Sequence, residues 1–109
     1  MKILLISDNT WVKESFEKYL NFDHELTHID EYESIDHYFD YIFVDMQVQN
    51  NGGPSIIREL KRANSSKNSY IVLIADRDAD EIQAKRVGAD GFMVKPFTKS
   101  KLNNFFNLN

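Results

Sequence analysis

The chain has no cysteine, which excludes disulfide staples, thiolate metal sites and cysteine nucleophiles together. Glycine is scarce, four residues in 109, and none gathers into a phosphate-cradling loop after the first apolar run. That run leads into Ser7-Asp8-Asn9-Thr10, where an acidic side chain would repel a phosphate. A nucleotide or flavin carrier is therefore disfavoured. No apolar run approaches the roughly 20 residues a membrane span needs. Met1-Lys2-Ile3-Leu4 passes straight into a strand-like segment without a small-residue cleavage site. Basic blocks are missing too. Thirteen Lys and Arg against 17 Asp and Glu leave a net charge of −4, with clusters no larger than Lys61-Arg62 and Lys99/Lys101. Without a basic face, direct binding of nucleic acid is not expected. The expectation is a cytoplasmic protein that does not enter a membrane.

What is present is ordinary globular material, 42% apolar and 28% charged, in a length that reads as one domain over residues 1–109. Three apolar runs stand out. Ile3-Leu4-Leu5-Ile6 ends at Ser7-Asp8, Tyr41-Ile42-Phe43-Val44 ends at Asp45, and Gly91-Phe92-Met93-Val94 ends at Lys95-Pro96. Continuous apolar strands imply burial on both faces, as in a parallel sheet covered by helices. In such a sheet the carboxyl ends of the strands line the ligand crevice. Two carboxylates and one ammonium on strand ends make a plausible seat for a metal ion and a phosphoryl group.

Between these runs the periodicity changes. Thr10–Leu20 places Val12, Phe16, Tyr19 and Leu20 on one helical face, with Glu14 and Lys18 as a favourable i, i+4 pair. Leu26–Ile29 reads as a weak second strand. Asp30 with Glu33 resembles a capping box and predicts a short helix reaching about Phe39. Gln49-Asn50-Asn51-Gly52-Gly53 is a loop by composition, and Pro54 suits the first turn of a helix carrying Ile56, Ile57 and Leu60. Tyr70–Ala75 is the strongest strand, Asp78–Val87 a helix ended by Gly88, and Thr98 or Ser100 caps a last helix with Leu102, Phe105 and Phe106. The order is that of an α/β, flavodoxin-like doubly wound (βα)5 domain. Its expected five-stranded parallel sheet has the order 2-1-3-4-5.

At this point the residues resemble those of a known family, the receiver domain of two-component response regulators, over essentially the whole chain. The likeness rests on Ile3–Asp8, on Tyr41–Met46, on Gly53 eight residues beyond Asp45, on Val72–Ala75 and on Gly88-Ala89-Asp90-Gly91-Phe92-Met93-Val94-Lys95-Pro96-Phe97. It implies that Asp45 is the phosphoacceptor, served by a histidine kinase or phosphotransfer protein. It implies that Asp8, Asp45 and the backbone carbonyl of Gln47 hold Mg2+. Lys95 would pair with Asp45 and later with a phosphoryl oxygen, ahead of a customary cis bond to Pro96. Phe92 takes the place of the aromatic switch residue. Signalling would run through a downstream protein partner and, in many such domains, through pairing of two copies. Receivers catalyse their own phosphorylation and dephosphorylation at most and are not usually counted as enzymes.

Magnesium takes oxygen ligands and is held by one or two carboxylates plus phosphate oxygens, and a carboxylate nucleophile is an established covalent strategy. The chain nevertheless departs from the pattern. Ser7 replaces the first member of an acidic pair, which weakens magnesium binding, and reads here as a helix-capping hydroxyl. Asp8 could cap as well as bind metal. Ile74, or Ala75 in a register shifted by one, replaces the Thr or Ser whose hydroxyl bonds the phosphoryl group. These departures motivate an alternative reading, a degenerate receiver acting as a phosphorylation-independent protein-binding module. His24, His28 and His37 share no metal-ligand spacing and read as surface or half-buried residues.

Overall fold

In the computed structural model, which describes residues 1–106, five parallel strands form one sheet in the order β2-β1-β3-β4-β5. They are β1 (Lys2–Ile6), β2 (Glu25–Ile29), β3 (Tyr41–Asp45), β4 (Tyr70–Ala75) and β5 (Gly91–Val94). The helices are α1 (Thr10–Tyr19), the single turn α2 (Val48–Asn51), α3 (Gly53–Arg62), α4 (Glu81–Val87) and α5 (Lys99–Asn103).

The central strands are buried on both faces, as their unbroken apolar sequence requires. Leu4, Ile6, Ile42, Val44, Ile71 and Leu73 point into one core with Ile56, Ile57 and Leu60 of α3 and Ala84 and Val87 of α4. Ile3, Leu5, Phe43, Val72 and Ile74 point into the other, against Val12 and Phe16 of α1 and Leu102 of α5. Each large aliphatic side chain fully buried this way contributes about 1.5–3 kcal/mol.

Helix ends follow local chemistry. Asn9 caps α1, its side-chain oxygen accepting the Val12 N–H at 3.2 Å. Neither Ser7 nor Asp8 takes that role, which corrects the capping expected of Ser7 and sets aside the capping alternative for Asp8. Pro54 sits in the first turn of α3, and Lys61 and Arg62 lie in its last, where cations suit the helix dipole. Gly88 ends α4 with a φ of 80°. Thr98 caps α5 by accepting the Lys101 N–H.

The helix predicted from Asp30 to Phe39 does not form. Its capping signal was local, whereas the backbone there finds partners elsewhere. The Tyr32 N–H donates to the Gln49 side chain at 2.6 Å, and the Ser65 and Ser69 hydroxyls donate to the carbonyls of Ile35 and Phe39, each at 2.6 Å. Backbone groups satisfied by side chains need no helix. The acids Asp30, Glu33 and Asp36 would also have stood three residues apart on one helical face, with mutual repulsion. The β2–β3 connection is thus irregular, and Phe39 still reaches the core.

Candidate functional site

Strand register builds the site. Ile6 of β1 pairs with Val44 of β3, so one step further Ser7 stands opposite Asp45. Ala75 of β4 pairs with Val94 of β5, so Asp76 stands opposite Lys95. The carboxyl edge of the sheet therefore carries Ser7 and Asp45 side by side after β1 and β3 and, two residues beyond that level, Asp76 and Lys95 side by side after β4 and β5.

These residues are bonded to one another. The Ser7 hydroxyl donates to Oδ2 of Asp45 at 2.8 Å. Lys95 Nζ donates to Oδ1 at 2.7 Å, and the Gln47 backbone N–H reaches the same oxygen at 3.2 Å. Lys95 also pairs with Asp76 Oδ1 at 3.0 Å. The Asp45 side chain is 0% exposed and that of Lys95 11%. Such a charge pair holds in the interior only because each partner is compensated. Burial works to lower the Lys95 pKa, but the hydrogen bonds and charges of Asp45 and Asp76 outweigh it, and the ammonium ends above its ordinary value.

A second layer fixes Ser7. Its backbone N–H donates to the Ile29 carbonyl at 3.0 Å, and its own carbonyl accepts a ring N–H of His28 at 2.7 Å. The Ser7 hydroxyl oxygen in turn accepts the Asn9 N–H at 3.1 Å, joining the site to the cap of α1.

Asp8 lies one residue past Ser7, is exposed, and enters none of the ion pairs of the described residues. The Gln47 carbonyl accepts the Asn51 N–H at 3.1 Å and keeps a second lone pair. A carboxylate offers about four acceptor directions; Asp45 uses three within the described residues, and Oδ2 retains one. Two carboxylates and a carbonyl would together offer only oxygen donors, a chemistry that suits magnesium rather than a softer ion. Among the described residues no three His, Cys, Asp or Glu side chains converge into a cage, so any such ion would keep several waters.

The loop after β3 is strained. Gln49, Asn50 and Asn51 have φ values of 52°, 57° and 65°, a left-handed region where glycine is at ease, Asn is tolerated and Gln is strained, so α2 is a tight turn rather than a right-handed helix. Gly53 lets α3 begin against the strand end: a Cβ there would fall 2.5 Å from the Asp45 carbonyl oxygen. The Lys95–Pro96 bond is cis, and Trp11 lies over Phe97 with ring centroids 5.0 Å apart.

The two expected switch positions do not meet. Ile74 pairs with Asp45 in the β3–β4 register but is wholly buried in the core of α1 and α5. Phe92 pairs with Leu73 and packs on the core of α3 and α4. They occupy opposite faces of the sheet. Asp76 and His28 are site residues that sequence reasoning passed over. Asp76 carried the same signal as Asp45 and Lys95, a charge closing an apolar strand, whereas nothing local marked His28.

The family model for the response regulator receiver domain matches residues 3–107. The sensory transduction protein LytR of Staphylococcus epidermidis is 23% identical over 115 residues, covering 98% of this chain and 45% of LytR. The chain thus spans about half the length of the curated relative it matches. Among solved structures, the response regulator DrrB of Thermotoga maritima superposes with a TM-score of 0.81 at 18% identity, over 96% of this chain and 52% of that one. The receiver domain of the sensor histidine kinase PA1611 of Pseudomonas aeruginosa, with a magnesium ion coordinated in its active-site cleft, gives 0.77 at 18% identity, over 95% and 92%.

Proposed function

Because the chain belongs to the response regulator receiver domain family, we propose that it accepts a phosphoryl group on Asp45 from a histidine kinase or phosphotransfer protein, with Mg2+, and signals through protein contacts. The observation that carries this reading is the buried Asp45 carboxylate held at 2.7 Å by Lys95 on the carboxyl edge of the sheet.

Two donors, Lys95 and the Gln47 N–H, fix Oδ1, so Oδ2 is the oxygen that attacks phosphorus once the Ser7 hydroxyl turns away. The new P–O bond forms as the P–N bond to the donor histidine breaks, its electron pair leaving with the imidazole. As negative charge spreads over the phosphoryl oxygens, Lys95 swings its hydrogen bonds toward them. Asp8, Asp45 and the Gln47 carbonyl would hold magnesium, which when bound supplies further neutralisation of that charge. Residues 1–109 act in this reading as one receiver domain in the cytoplasm. It turns over its own phosphoryl group slowly and meets a downstream protein or a second copy of itself.

One observation favours a second reading, a phosphorylation-independent binding module. Asp45 is wholly buried beneath the Ser7 hydroxyl, and Ile74 offers no hydroxyl to read a phosphoryl group. Magnesium-dependent beryllofluoride binding, followed by amide NMR with Asp45→Asn as control, separates the two. Saturable binding with shifts at Asp45, Phe92 and Lys95 is expected for the phosphoacceptor. No binding at millimolar magnesium would establish the module instead.

A further inference from the structure

Lys95 is shared. Its ammonium has three protons; one goes to Asp45 Oδ1 at 2.7 Å and one to Asp76 Oδ1 at 3.0 Å. The two carboxylates differ in setting, for the Asp45 side chain is fully buried and that of Asp76 is 33% exposed. Asp76 is also rigidly placed. It follows the last residue of β4, whose carbonyl accepts the Lys95 backbone N–H at 2.8 Å, so the backbones carrying the acid and the ammonium are tied side by side.

We infer that Asp76 is a positioning residue for the chemistry at Asp45: it competes for Lys95 and thereby limits how long a phosphoryl group stays on the site. This inference rests on the reading of Asp45 as phosphoacceptor. In the resting site the ammonium lies between two carboxylates. Phosphorylation turns one Asp45 oxygen into an ester oxygen and adds phosphoryl oxygens that need Lys95. Asp76 holds the ammonium back and sets a fixed negative charge near the new one. Both effects raise the energy of the phosphorylated state relative to the resting state. Hydrolysis relieves them. Water attacks phosphorus, the P–O bond to Asp45 breaks with its electron pair returning to the carboxylate, and orthophosphate leaves with the protons of the water. Lys95 then regains both partners.

The test uses the whole chain with acetyl phosphate and magnesium, comparing wild type, Asp76→Asn, Asp76→Glu and Asp45→Asn. Asparagine keeps the size and removes the charge; glutamate restores it. The expected result for Asp76→Asn is a labelled fraction raised, and a rate of phosphoryl loss lowered, by about two- to fivefold, as befits a partly exposed ion pair. Asp76→Glu should stay near wild type. A merely structural role for Asp76 would lower labelling rather than raise it. Equal labelling and equal decay in wild type and Asp76→Asn, or a fall in labelling, would overturn the inference while leaving Asp45 as acceptor. Absence of label in every protein, or its persistence in Asp45→Asn, would instead remove the phosphoacceptor reading and this inference with it.

Discussion

The Ser7 hydroxyl donates to Oδ2 of Asp45 at 2.8 Å, with both residues wholly buried. A neutral donor thus occupies the side of Asp45 where the family pattern has a second acid. The carboxylate is balanced by the serine hydroxyl and the lysine ammonium, a satisfied arrangement rather than a cluster of repelling charges.

Ser7→Ala should cost about 1–3 kcal/mol, because a buried charged acceptor loses its donor and nothing replaces it. Urea unfolding monitored by Trp11 fluorescence measures this. The same variant uncovers Oδ2, so labelling of Asp45 by acetyl phosphate should rise. A variant as stable as wild type would mean that the bond contributes nothing.

Lys95→Met should destabilise by about 3–5 kcal/mol, since it strands the Asp45 charge in the interior. Adding Asp45→Asn should recover much of that loss, because the stranded charge goes too. The double-mutant cycle in urea reads the coupling directly. Strictly additive losses would show that the two residues do not compensate each other.

High pH tests the same pair from another direction. Lys95 is raised above its ordinary pKa by Asp45 and Asp76 despite burial. A raised folded-state pKa contributes stability that is complete below the unfolded value, about 10.4, and is lost as pH climbs through the folded one. Tyr32 and Tyr41 are also raised, by burial first, and lose stability in the same direction. The contribution of Lys95 is therefore the difference between wild type and Lys95→Met, which should shrink above about pH 10.4. A difference constant to pH 12 would contradict the assignment.

Strands were the most legible part of the chain, because a strand buried on both faces must be written as an apolar run, and Ile71–Ile74 could be little else. The charges ending those runs made Asp45 and Lys95 visible for the same reason. What stayed hidden depended on register and on distant partners. Ser7 looked like a cap until β1 and β3 set it opposite Asp45, while Asn9 held the helix. His28 needed the β1–β2 pairing to bring it to the Ser7 carbonyl. The segment Asp30–Phe39 carried a local helix signal, but its hydrogen bonds are made by Gln49, Ser65 and Ser69, a competition no local window contains.

Ile74→Thr would restore a hydroxyl in the family pattern, yet its position predicts a loss. The side chain is 0% exposed and packs with Ile3, Leu5, Phe16, Met93 and Phe97. A hydroxyl there without a partner costs about 1–3 kcal/mol. Phe92 lies on the opposite face, so its NMR shifts on beryllofluoride binding should match those of the wild type. Enhanced shifts at Phe92 in the variant would show that a hydroxyl at position 74 alone restores the coupling.

Gly53→Ala tests how the loop sets the acceptor. An added Cβ would fall 2.5 Å from the Asp45 carbonyl oxygen and 2.8 Å from the Met46 Cα. Both are backbone atoms at the end of β3, so neither can turn aside as a side chain would. Either α3 lifts from the strand or Asp45 moves relative to Lys95, and overpacking of this kind costs about 1–3 kcal/mol. Gly52→Ala is the matched control: its nearest contacts are 3.1 Å, which a few tenths of an ångström of movement relieves. Gly53→Ala should therefore lower the urea midpoint well below that of Gly52→Ala and shift the amides of Asp45 and Met46. Equal midpoints would mean that the start of α3 has room to retreat, and that the close approach of helix to strand does not hold Asp45 in place.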